Sequence, residues 1–336
     1  MVDLPSPTRI LWLTPDKPDD ISVGRHRIAE HLASRGFHVS LDGTSARTVL
    51  SALRNRAEYD LIIGTTRAGA LAAMTIGRVG GLPVIVDHID PIQQLYDTRA
   101  WLVARFVEQF EDLAFHLADH VLFVYEEERN RVADRTSHHT KTHLGVDYGR
   151  FADPDEAVIR SAGDRLAEFE LNESILIYVG GLEPIYNVRT LLDAMAYLSG
   201  WSLVIAGAGS LEPIVKRRAR TQENIEFLGT IPHDNVPGYL HHADVGVSLV
   251  DDPHTLKVLE YLSASIPVVQ LDGRARGQFD EFVTYTTLDP AAVADAVVQA
   301  SLLPVSTDAL EYVHQFTWSR IADTYERVIC QTLQAT

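Results

Sequence analysis

Short, nearly continuous apolar runs alternate with amphipathic stretches along all 336 residues, and this alternation limits the fold more than any other feature. In the first half the runs are RILWLT, HVSL, DLIIGTT, PVIVDH, HVLFVY and KTHLGV; in the second they are SILIYVGG, SLVIAG, IEFLGT, VGVSLV, PVVQL and FVTYTT. A strand that is apolar on both faces must be covered on both, which is the condition of a parallel sheet flanked by helices. Each half therefore reads as an α/β, doubly wound domain. The break between the two sets falls in FADPDEAVIRSAGDRLAEFELNES, rich in charge, and places the domains at 1–157 and 158–317. The final stretch, 318–336, reads as a helix from the spacing of Ile321, Tyr325 and Val328.

A hydrophobic content of 46% supplies two ordinary cores. No run approaches the roughly 18 apolar residues of a membrane span. The opening MVDLPSPTRILWLTP has no basic segment ahead of its apolar part, so it reads as a first strand and not as a signal peptide. Cys330 is the only cysteine, which excludes an internal disulfide and a cysteine-based metal cluster. A cytoplasmic location fits these bounds. The net charge of -17 disfavours nucleic acid as a partner. Lys17, Lys141, Lys216 and Lys257 are the only lysines, the remaining cations being arginine. Such a surface suits a halophilic protein, because carboxylates hold water and tolerate self-repulsion once salt screens it; an ordinary acidic protein is the plain alternative.

Ligands of open α/β sheets bind outside the carboxyl ends of the strands, so the loops there carry the functional weight. In YVGGLEPIYN, Gly180 and Gly181 either make a tight turn or let the backbone approach a ligand, ahead of a helix starting near Asn187. LVIAGAGSLEP begins like a dinucleotide fingerprint, but Glu212 stands where the third glycine belongs, so a dehydrogenase is rejected. VDHIDP sets His88 near two acids at a strand end, as a base, a hydroxyl orienter or a satisfied histidine. In DKPDDISVGRHR, Gly24 and Arg25 stand in the first strand-to-helix loop, where backbone and cation suit a phosphate. Histidine spacing offers no metal site.

The stretch VSLVDDPHTLKVLEYLSASIPVVQL places two charges in a short helix between apolar strands. As a solvated pair, Lys257 and Glu260 contribute only about 0.2–0.5 kcal/mol. In the functional reading, Thr255, Leu256 and Lys257 form a helix N-terminus whose amides and ammonium hold a diphosphate. Glu260, one turn on, then accepts the hydroxyls of a ribose.

These loops, in this order, resemble the retaining glycosyltransferases of family 4, the group 1 type, over nearly the whole chain. GRHRIAEHLASRGFHVSL, DHVLFVYEEERNRV, THLGVDYGRF, YVGGLEP, LVIAGAGSLEP, IEFLGTIPHDNVPGYLHHADVGVSLV and LKVLEYLSASIPVV carry the resemblance. It implies the GT-B fold, two doubly wound Rossmann-like domains with parallel sheets facing a central cleft, and a last helix that crosses back to the first domain. Glu260 matches the second glutamate of the E-x7-E motif, the ribose ligand, and Asp252 stands where the first glutamate contacts the transferred sugar. His88 matches a histidine facing the donor sugar, and Gly24 the glycine loop near the diphosphate. Many members place Arg and Lys where this chain has Gly181 and Tyr186, so Lys257 is the cation expected to compensate, with Arg25 and Arg189 behind it.

The activity implied is that of a retaining glycosyltransferase of the hexosyltransferase type. It takes a nucleoside diphosphate sugar, UDP-linked by family habit, and a glycan or lipid-linked acceptor, with neither metal nor other cofactor. The absence of a spanning segment leaves room for peripheral association with the inner face of a membrane. The rival readings are a nucleotide-sugar epimerase of the same fold and a non-catalytic nucleotide-sugar-binding homologue.

Overall fold

Ile10, Leu11, Trp12, Leu61, Ile62 and Ile63 are wholly buried, because the strands that carry them have helices on both faces. The computed structural model describes residues 7–15 and 21–335. The chain's opening residues, 1–6, and the acidic stretch 16–20 of the expected first loop lie outside the described residues.

The first unit runs β1 (Arg9–Leu13), α1 (Ile21–Ser34), β2 (His38–Asp42), α2 (Ala46–Arg54), β3 (Leu61–Thr65), α3 (Thr66–Gly80), β4 (Val84–His88), α4 (Ile92–Thr98), α5 (Trp101–Leu117), β5 (His120–Phe123), α6 (Arg129–Ala133) and β6 (His139–Lys141). Its strands are all parallel, in the order β2-β1-β3-β4-β5-β6. The second unit runs α7 (Tyr148–Ala152), α8 (Glu156–Leu166), β7 (Ser174–Val179), α9 (Val188–Ala194), β8 (Trp201–Ala206), α10 (Glu212–Ala219), β9 (Ile225–Gly229), α11 (Val236–His241), β10 (Val245–Ser248), α12 (Leu256–Ser263), β11 (Val268–Leu271), α13 (Arg276–Phe279), β12 (Thr284–Thr286), α14 (Pro290–Ser301) and α15 (Thr307–His314). Its order is β12-β11-β10-β7-β8-β9, again parallel throughout. The last helix, α16 (Trp318–Ala335), is part of the first unit.

In the first unit, α2, α3 and α5 cover one sheet face through a core that includes Leu11, Ile62, Val86, Phe115 and Phe123. On the other face α1 and α16 close over Ile10, Trp12, Ile63 and Ile85 with Ile28, Tyr325 and Val328. The units divide between Gly145 and Val146 and not at 157, because α7 and α8 send Phe151 and Ala162 into the second unit's core. The KTHLGV run is also displaced. Its strand ends at Lys141, and a Cβ at Gly145 would lie 2.2 Å from the Trp318 ring, so the glycine is where α16 begins to pack.

Candidate functional site

In the second sheet β8 and β9 extend from one side of β7, and the chain then returns to lay β10 on the other. The strand order therefore reverses between β7 and β10, and the carboxyl ends of these two strands form the crevice in which open α/β sheets take ligands. Two residues set α12 over this point. A Cβ at Gly246 would come within 2.4 Å of the Tyr261 ring, so only glycine lets that ring lie on β10. The Tyr261 hydroxyl in turn accepts the amide of Val179 at 2.9 Å, tying α12 to the end of β7.

Lys257, in the first turn of α12, reaches back over the glycine pair. Its Nζ stands 2.8 Å from where a Cβ at Gly180 would be, and 4.5 and 4.6 Å from the ring centres of Tyr178 and Tyr186. Both rings offer it their π faces, and it also approaches the Tyr178 hydroxyl at 3.4 Å. Burial pushes the Lys257 ammonium down to about 8, against the opposing pull of Glu260 and Asp252. Gly180 has φ +151°, which favours glycine there, and Gly181 admits the ring of Tyr186, which a Cβ would meet at 2.6 Å.

The neighbouring glycines have a different cause. Gly207 has φ +146°, and a Cβ there would fall 1.8 Å from the Gly180 carbonyl oxygen. The amide of Leu182 donates to the Ala208 carbonyl at 2.8 Å across the same approach. The AGAG segment therefore closes one strand end against another, which accounts for its resemblance to a dinucleotide loop.

Thr255 is the N-cap of α12, is buried, and makes no capping bond with its side chain. The first-turn amides, those of exposed Leu256 and of Lys257 among them, have no partner within the helix. A diphosphate at this end would meet both the amides and the ammonium. One oxygen of Asp252 accepts the His254 amide at 2.9 Å and so shapes the loop into α12. Asn187 caps the start of α9, where the helix was expected to begin. It has φ +51°, and its Nδ2 donates to the Leu249 carbonyl at 2.8 Å, so its side chain ties the start of α9 to the end of β10. Glu260 sits one turn into α12, with Oε1 2.9 Å from Nε2 of His233. That bond raises the His233 imidazole above its ordinary value, and the ring stands edge-on to Phe151.

Sequence reasoning missed Tyr178 and His233. A tyrosine inside an apolar strand reads as core, and the partnership of His233 with Glu260 arises from a turn, residues 233–235, brought to α12 by folding.

The first unit corrects three expectations. Gly24 and Arg25 lie in α1 and not in a loop, and a Cβ at Gly24 would be 2.9 Å from the Trp318 ring. Arg25 is buried, and its Nε and Nη2 both donate to Asp87 at 2.9 Å. Burial opposes its charge, but Asp87 outweighs burial and raises the guanidinium further. Asp87 also accepts the hydroxyls of Thr65 and Tyr325, at 2.7 and 2.8 Å. This arginine is already engaged, and it presents no open fork to a phosphate. His88 is only 2% exposed, with Nδ1 3.3 Å from Glu111 and Nε2 3.0 Å from Glu128. Burial works against its charge, but the two carboxylates prevail and raise it. Arg131 bridges Glu111, Asp112 and Glu128, and the Glu128 carboxyl, despite burial, is held down at about 2. With both ring nitrogens occupied, His88 belongs to an internal ion network.

Residues 173–301 match the family of glycosyl transferases group 1. That group 1 segment contains the whole β7–β10 crevice, Lys257 and Glu260. The fold of the chain is that of GT-B glycosyltransferases. The structure is similar to a sucrose-phosphate synthase from Thermosynechococcus elongatus, with a TM-score of 0.78, 16% identity, and 98% of this chain and 100% of that one covered. It is also similar to Alr3699/HepE of Anabaena in complex with UDP, at a TM-score of 0.75 and 15% identity over 96% of this chain and 100% of that one. The catalytic domain of starch synthase IV from Arabidopsis thaliana, bound to ADP and acarbose, gives 0.70 and 10%, covering 98% and 100%. No curated protein sequence matches the chain.

Proposed function

We propose that this chain moves a sugar from a nucleoside diphosphate sugar, with uridine as the nucleoside, to a hydroxyl of a glycan or lipid-linked acceptor, with retention at the anomeric carbon. The observation that carries this reading is the Lys257 ammonium, held against the glycine pair at the start of α12 and at the point where the strand order reverses. Departure of a nucleoside diphosphate gathers negative charge, and a fixed cation beside free amides is what that step requires. The UDP held by the Anabaena protein of like fold supports the choice of nucleoside. In this reading Lys257 and the first amides of α12 take the diphosphate, Glu260 takes the ribose hydroxyls and Asp252 takes the sugar.

Isothermal titration with UDP tests the assignment. Glu260→Ala is expected to weaken binding by about 1.5–3 kcal/mol, the worth of a hydrogen bond to a charged group. Equal affinity in wild type and variant moves the ribose elsewhere. UDP binding without any sugar transfer favours the non-catalytic nucleotide-sugar-binding homologue, for which the Tyr186 ring over Gly181 is the specific observation.

Two further outcomes belong to this reading. Transfer is expected to persist in EDTA, since the ammonium and helix amides supply the positive charge at the leaving group; complete, reversible loss on chelation would overturn that role. The halophilic reading predicts a melting temperature that rises from low salt to molar potassium chloride. With a net charge of -17, self-repulsion eases as the Debye length shrinks from about 30 Å at 0.01 M to about 3 Å at 1 M. A level melting temperature removes it.

A further inference from the structure

Three helices of the first unit, α2, α3 and α5, lie side by side on one face of its sheet, and their outward side mixes large apolar residues with arginines. On α5 the residues Leu102, Phe106, Phe110 and Leu113 follow one another at helical spacing, and each is exposed, Leu102 by 73% and Phe106 by 65%. Trp101 adds an exposed ring at the helix start, and the rings of Phe106 and Phe110 lie 4.7 Å apart. On α3, Leu71 and Val79 continue the apolar surface. Contiguous apolar patches of this kind mark interaction sites on water-soluble proteins.

The charges on this layer identify the occupant. The chain carries 46 acidic and 29 basic residues, yet α2 (ARTVLSALR) and α3 (TRAGALAAMTIGRVG) contain no carboxylate at all. Arg47, Arg54 and Arg78 are exposed along them. The acids of α5 are turned away or neutralised: Glu111 and Asp112 are buried with Arg131, and Glu108 pairs with Arg105. A cationic, apolar face on a protein of strongly negative net charge is complementary to an anionic, apolar surface, and a repeating negative surface with hydrocarbon beneath it is a bilayer of acidic phospholipid. No helix among the described residues is long and apolar enough to cross a membrane, so the contact is one of docking and not of insertion across.

We propose that the α2–α3–α5 face of the first unit docks on an anionic phospholipid surface, with the α5 aromatics seated among the acyl chains and the arginines on the headgroups. The proposal stands apart from the nucleotide site, which lies in the other unit, so UDP affinity reports on one and vesicle binding on the other.

Flotation with vesicles of phosphatidylcholine alone, and of phosphatidylcholine with phosphatidylglycerol, tests it at about 0.1 M salt, where surface charges still act. The wild type is expected to float with the phosphatidylglycerol vesicles. The double variant Leu102→Glu/Phe106→Glu is expected to lose about tenfold or more in partitioning, with unchanged melting temperature and UDP affinity. Arg47→Glu and Arg54→Glu are each expected to weaken the preference for phosphatidylglycerol by about fivefold or more. A wild type that floats with neither vesicle overturns the proposal, as does flotation indifferent to Leu102→Glu/Phe106→Glu. A dimer seen by light scattering and split by that double variant, without vesicle binding, also overturns it and assigns the face to a second copy of the chain.

Discussion

Replacing Lys257 by Met is expected to lower kcat and kcat/KM together by about 10²- to 10³-fold, the usual cost of removing one preorganised donor from a developing oxyanion. The same change is expected to raise the melting temperature. Lys257 is an ammonium packed among Tyr178, Tyr186 and Gly180, and burial has brought it from 10.5 to about 8. At neutral pH it is charged in both the folded and unfolded states, and the folded state bears the cost of desolvating it, on the order of 1–3 kcal/mol. Met has a similar length and no charge to desolvate. Function and stability are thus opposed at one side chain, as is common where a site needs a strained group.

The pH dependence follows in sign. Between about 8 and the unfolded value the unfolded chain binds more protons than the folded one, so Lys257 makes stability rise with pH across that window. The Met variant should lack this rise. Grip on the diphosphate should fade over the same range, because the free enzyme loses the ammonium as pH passes about 8. Denaturant unfolding and UDP titration, each read across pH for wild type and variant, check the two in turn. An effect below about twofold on kcat and kcat/KM removes Lys257 from the leaving-group site.

The alternation of apolar strands made the two parallel sheets legible, because a strand buried on both faces has no polar register to hide behind. The position of Lys257 in the first turn of α12 was legible for a related reason: a charge at the start of a helix wedged between apolar strands stands out against its surroundings. The first-unit expectations failed where partners came from far along the chain. Arg25 is satisfied by Asp87 and by Tyr325, the latter three hundred residues away by number and in α16. His88 meets Glu111 from α5 and Glu128 just ahead of α6. Nothing local distinguishes an arginine awaiting phosphate from one already paired, because the partners of Arg25 lie outside its motif. The Gly24 expectation failed similarly, since the Trp318 ring that requires a glycine there belongs to the last helix.

Asp87→Ala is expected to cost about 3–5 kcal/mol of stability in the first unit, the largest structural effect of any single substitution considered for this chain. The aspartate lies on β4, wholly buried, and accepts from Arg25 on α1, from Thr65 at the end of β3 and from Tyr325 on α16. Truncating it leaves the Arg25 guanidinium buried without its counter-charge, and it also releases α16 from the sheet. Tyr325→Phe keeps the ion pair and removes one hydroxyl donor, so it should cost less, about 1–3 kcal/mol. Hydrogen exchange separates the two: in Asp87→Ala the amides of α16 should lose protection together, while those of the second unit keep theirs. Arg25→Met completes the test. If the arginine is the counter-charge of Asp87, the variant loses stability and keeps its UDP affinity; if it is a diphosphate ligand, the variant keeps stability and loses affinity. An Asp87→Ala protein within about 1 kcal/mol of wild type, with α16 still protected, would show that the pair holds nothing together.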